Sequence, residues 1–84
     1  MKFYEVIIFS FIHKVRTIET KAFAKRADAE EYFSKEADKA TMRAIDYCMG
    51  DNFAIDDGVD YFSVYDDTCQ DFEISVSMGE KTMA

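Results

Sequence analysis

Residues 3–12, Phe-Tyr-Glu-Val-Ile-Ile-Phe-Ser-Phe-Ile, set the first limit on any fold this chain can adopt. Their β-branched and aromatic side chains are strand chemistry. Side chains alternate along a strand, so Phe3, Glu5, Ile7, Phe9 and Phe11 share one face. Tyr4, Val6, Ile8, Ser10 and Ile12 share the other. Both faces are apolar, which predicts a central strand with something covering each side.

His13 and Lys14 mark the reversal into a second strand, Val15–Phe23. There Arg16, Thr17, Glu19, Thr20 and Lys21 interleave with the apolar residues, a mixture suited to a sheet edge. A helix is predicted next, with Asp28 as N-cap and Glu31 three residues on. Its apolar stripe is Ala29, Phe33, Ala37, Ala40, Ala44 and Cys48, flanked by Tyr32 and Tyr47. Glu31 and Lys35 stand at the favourable i,i+4 spacing, and Gly50 is the expected helix end. Residues 51–58 read as a loop, 59–66 as a third strand and 67–69 as part of a turn. Phe72, Ile74, Val76 and Met78 alternate with polar residues, the clearest period-two signal in the chain. The last five residues are expected to fray.

The expectation is therefore an α+β fold of order β-β-α-β-β, an antiparallel sheet with one helix packed across one face. The 84 residues form a single domain, with no proline and three glycines to suggest a linker. One helix leaves the second apolar face of the first strand unexplained. A homodimer that stacks sheets or pairs edges would cover it.

Charge is segregated along the chain. The first 43 residues carry nine basic and seven acidic side chains; the rest carry ten acids against Lys81. Segregation of this kind shapes the field and the choice of partner. Same-face residues on a strand stand about 6.6–6.8 Å apart, close to the spacing of phosphates along a nucleic-acid strand. Acids fixed at that spacing are expected to engage a basic surface. The candidate partner-binding residues are Asp56, Asp57, Asp60, Tyr61, Tyr65, Asp66, Asp67, Asp71 and Glu73. The tyrosines enter because one face of the third strand must point away from the helix, and exposed tyrosines anchor interfaces. The alternatives are a solvating acidic surface on a small homodimeric structural or regulatory domain, and a divalent-cation binder.

Direct nucleic-acid binding is disfavoured by the net charge of −7. Lys14, Arg16, Lys21, Lys25 and Arg26 cluster around the first hairpin and helix entry, either as a local basic patch for nucleic acid or as a complement to the acids of a second subunit. Gly58 at the sixth position of a calcium loop would put Phe53 and Ile55 where oxygen ligands belong, so that motif fails. An irregular cation site would have to use Asp56, Asp57 and Asp60. His13, Cys48 and Cys69 lack zinc-ligand spacing. Acids around Cys69 and a helix C-terminus at Cys48 both disfavour a thiolate, and no catalytic motif is present. No enzyme activity and no cofactor are expected. The apolar start is interrupted by Glu5 and lacks a cleavage site, so a cytoplasmic protein without membrane contact is expected, its cysteines free.

The hairpin over residues 3–23, the run Ala-Lys-Arg-Ala-Asp-Ala-Glu-Glu-Tyr-Phe into the helix and the Asp-rich final hairpin together carry a resemblance. The chain resembles the small acidic single-domain proteins with which bacteriophages disable host machinery, including nucleic-acid mimics and anti-CRISPR inhibitors. The resemblance implies a mode of action, stoichiometric binding to a basic nucleic-acid-handling protein in the cytoplasm of a bacterial host. It carries no site residues across.

Overall fold

The computed structural model describes residues 1–47, 53–66 and 71–82. Strands β1 (Lys2–Ile12) and β2 (Val15–Phe23) precede helix α1 (Arg26–Tyr47). Strands β3 (Phe53–Asp57), β4 (Tyr61–Asp66) and β5 (Phe72–Thr82) follow it. The five strands form one antiparallel sheet in the order β2-β1-β5-β4-β3. The fold is α+β, with the expected succession of elements and one further strand, β3.

β1 is central, as its two apolar faces require. It pairs with β2 on one side and along its whole length with β5 on the other. Residues 80–82 do not fray, because Glu80, Lys81 and Thr82 pair with Tyr4, Phe3 and Lys2. β3 occupies residues read as a loop. Its Asp56 and Asp57 break the apolar pattern, but at a sheet edge they stay exposed while Phe53 and Ala54 are half-buried.

The helix lies across the face made by Val6, Val64, Ile74 and Val76. Val6, Val64 and Val76 are fully buried there. Contact is made through Ala29, Ala40 and Ala44, which are also buried; short side chains let the helix sit close. At 22 residues it is about 33 Å long, enough to span the face. Aromatic contacts fasten both ends. Tyr47 stacks on Phe72 with centroids 5.0 Å apart and meets His13 at 5.1 Å. At the other end Tyr32 meets Phe23 at 5.3 Å, with the Lys21 ammonium 4.9 Å from the Tyr32 ring. Burial, then a hydrogen bond with Glu36, pushes the Tyr32 phenol above its ordinary pKa. The helix starts at Arg26, so Asp28 is in its first turn rather than at the N-cap, where it still favours the helix dipole. Lys35 and Glu31 pair at 3.2 Å. The expected helix end at Gly50, Cys48, and the turn containing Asp67 and Cys69 lie outside the described residues.

The β1–β2 hairpin closes in two residues, with Ile12 opposite Val15. Both loop residues have left-handed backbones, His13 at φ 53° and Lys14 at φ 69°. Tight hairpins favour this geometry because its twist matches that of the strands, but non-glycine residues pay for it with steric strain. His13 is held by its N–H bond to the Asp71 carbonyl (3.1 Å) and by Tyr47. Lys14 is exposed. Replacing Lys14 with glycine is therefore expected to stabilise the fold by about 0.5–1 kcal/mol, a rise of roughly 2–8 °C in Tm. A melting curve that is unchanged or lowered would contradict the turn assignment.

Candidate protein-binding face

A sheet has two faces and α1 covers one. The register defines the other. Arg16, Phe11, Glu73, Tyr65 and Ala54 form one row across the five strands. Ile18, Phe9, Ser75, Ser63 and Asp56 form the next, and Thr20, Ile7, Ser77 and Tyr61 a third. Among the described residues no element lies over these rows. Phe3, Ile7, Phe9 and Phe11 are only half-buried, Ile18 is 67% exposed, and Tyr61 and Tyr65 are exposed.

The rows have relief. β1 presents a ridge of Phe11, Phe9 and Ile7. β5 beside it presents Ser75, Ser77 and Gly79, and a Cβ built on Gly79 would meet nothing within 4 Å. β4 then rises again with Tyr65 and Tyr61. The result is a trough along β5 between walls two strand spacings, about 9.5 Å, apart. Between the same walls opens a groove of about 550 Å³ lined by Phe9, Phe11, Tyr61, Ser63, Tyr65 and Glu73, among others. The serines are satisfied: the hydroxyls of Ser75 and Ser63 lie 3.3 Å apart in a hydrogen bond.

The register separates the candidate acids. Asp56, Tyr61, Tyr65 and Glu73 come together on the open face. Alternation sends Asp57 to the helix side of β3. Asp60 is half-buried just before β4, 3.4 Å from the Arg26 guanidinium, and its carbonyl accepts the Met78 N–H at 3.0 Å. Arg26 is shared with Glu30; the Glu30 hydrogen bond, with the field of Asp60, raises its pKa further. Asp66 ends β4 buried, 6% exposed, and borders one end of the groove. Asp71 is half-buried just before β5, its carbonyl occupied by His13. Asp67 lies outside the described residues. The irregular cation site is not assembled, since Asp56 and Asp57 point to opposite sides of the sheet and Asp60 faces Arg26. Among the described residues no three histidine, cysteine or acidic side chains are placed to hold a metal ion.

Other residues of the face were not among the candidates: Arg16, Ile18, Ser63, Ser75 and Ser77, with the ridge on β1. The two-faced pattern of residues 3–12 was the signal for the ridge. Arg16 stands over the Phe11 ring, 5.8 Å from its centroid, and among the described residues neither Arg16 nor Glu73 forms an ion pair. Among the described residues no helix is long and apolar enough to cross a membrane. Comparison with protein-family models, curated proteins and solved structures finds no match to the chain.

The separation of the acids predicts unequal responses to charge reversal. Asp66→Lys places an ammonium where the side chain is buried, and is expected to cost at least about 3 kcal/mol. Asp56→Lys and Glu73→Lys, both exposed, should change the stability of the single chain, measured in dilute solution, by no more than about 0.5 kcal/mol. Urea unfolding of the three variants checks this, and equal effects would contradict the burial of Asp66.

Proposed function

We propose that the protein is a non-enzymatic binding module that inhibits a nucleic-acid-handling protein by docking on its basic surface. The observation that supports this is the open face itself, where exposed Tyr61 and Tyr65 stand with Asp56 and Glu73 around an uncovered groove. A guanidinium stacks on a tyrosine ring and pairs with a carboxylate in two parallel hydrogen bonds. Both kinds of contact are offered within one row, Glu73 directly opposite Tyr65. The β3–β4 edge beside it, with Asp56, Asp57, Asp60 and Asp66 and no lysine or arginine, steers such a partner and makes association sensitive to salt. The mode is that of the small acidic phage inhibitors the sequence resembles.

Immobilised protein is expected to capture nucleic-acid-binding proteins from a bacterial lysate at low salt. Duplex DNA should displace them, and so should roughly 0.3 M salt, where charge interactions are screened within about 6 Å. The Asp56→Lys/Glu73→Lys variant, still folded, should bind them at least about 10-fold more weakly. Capture indifferent to salt, to DNA and to charge reversal would sink the reading.

A further inference from the structure

The open face is complementary to itself. On the open face Phe9 and Ile7 of β1 stand one strand away from Ser75 and Ser77 of β5, with Phe11 beside Glu73 and Glu5 beside Gly79. Consider a two-fold axis parallel to the strands, passing above the line between β1 and β5. It turns a second copy face-down, keeps each row in place and exchanges the two sides. Phe9 then stands over Ser75 of the second copy and Ile7 over Ser77, with Phe11 over Glu73 and Glu5 over Gly79. β2 lies over β4, which places Ile18 over Ser63 and Arg16 over Tyr65, beside Glu73. Every contact occurs twice, as an isologous interface requires.

Charge follows the same symmetry. On the open face β2 carries Arg16, while Lys21 and Glu19 turn to the helix side. β3 at the opposite edge carries Asp56 on the open face, with Asp57 on the helix side. A copy carrying a net charge of −7 repels another of its kind unless the basic edge of each meets the acidic side of the other. This axis brings them together. It supplies Arg16, whose side chain has no ion pair among the described residues, with Glu73 of the second copy.

The area is adequate. β1 and β5, eleven residues each, run about 36 Å, and β2 overlaps β4 for six residues, about 20 Å, each strand being about 4.8 Å wide. That is roughly 540 Å² per copy, or about 1,100 Å² in total, just above the ~1,000 Å² that a biological interface clears. Aligned sheets stack about 10 Å apart, which suits aromatic side chains set into a row of serines.

We infer that two copies of the chain associate face to face through the open sheet, Phe9 and Ile7 of each set over Ser75 and Ser77 of the other and Arg16 of each paired with Glu73 of its mate. This rests on the reading that the open face is a protein-binding surface, and it names the occupant in the protein by itself.

Sedimentation equilibrium of the full chain at about 100 μM tests it, with circular dichroism to confirm folding. The wild type is expected at twice the monomer mass of 9.7 kDa. Arg16→Glu and Glu73→Arg should each weaken dimerisation about 100-fold, because each variant creates two like-charge contacts. An equimolar mixture of the two should dimerise like the wild type, since both contacts of the mixed dimer again join opposite charges. Ser75→Tyr, which fills the trough without changing charge, should also give monomer. A monomeric wild type, a mixture that stays monomeric, or a dimer indifferent to Ser75→Tyr would each overturn the proposal. The partner reading is tested separately: a monomer that still captures basic proteins retains that reading and removes the dimer, and a dimer that captures none does the opposite.

Discussion

One helix cannot cover two faces of a sheet, and most of this structure follows from that mismatch. β1 is largely apolar on both sides and must lie inside the sheet rather than at an edge. Pairing with β5 along its full length puts it there. α1 then buries Val6, Val64 and Val76 completely, while Ile7, Phe9 and Phe11 on the reverse stay half-exposed. That reverse face has no cover among the described residues. It is also rigid, since the backbone beneath it is paired on both sides. A fixed apolar surface with aromatic relief is better suited to docking a partner than a mobile acidic tail would be.

The strand order converts charge segregation along the chain into polarity across the sheet. The first hairpin, with most of the basic residues near it, forms one edge. The acidic β3–β4 hairpin forms the other, because β5 returns to pair with β1 and so lies between them. A sequence with the same halves but with β3 paired to β2 would have placed opposite charges side by side and cancelled the field. The polarity thus depends on topology as much as on composition.

Period and charge were legible in the sequence, and register was not. Phe72 to Met78 alternate cleanly, and the final strand lies where that alternation put it. The burial of Asp66 was also written locally, since it follows Phe62 and Val64 at the same two-residue step onto the same side of β4. Treating the acids as one surface concealed it. β3 was hidden because its two acids read as loop chemistry, and only its pairing with β4 makes it a strand. The contact of Asp60 with Arg26 joins positions 34 apart in sequence, which no local pattern encodes. The trough had the same kind of invisibility. Ser75 and Ser77 are unremarkable polar positions until Phe9 and Ile7 stand beside them.

The two proposed occupants of the open face draw on the same chemistry. Arg16 of a second copy would offer Tyr65 and Glu73 the guanidinium that an arginine of a basic protein would offer. Self-association and partner binding are then mutually exclusive at that site, and their free energies are linked. Only the monomer is competent, so the apparent affinity for a partner falls by the fraction of chain held as dimer. The penalty vanishes when the chain is dilute relative to its dimer dissociation constant and grows as it accumulates. A face this apolar would otherwise be exposed to indiscriminate contacts at high concentration. A second copy would shield it, and only a partner that supplied its own arginines at the right spacing would recover what the dimer gives up.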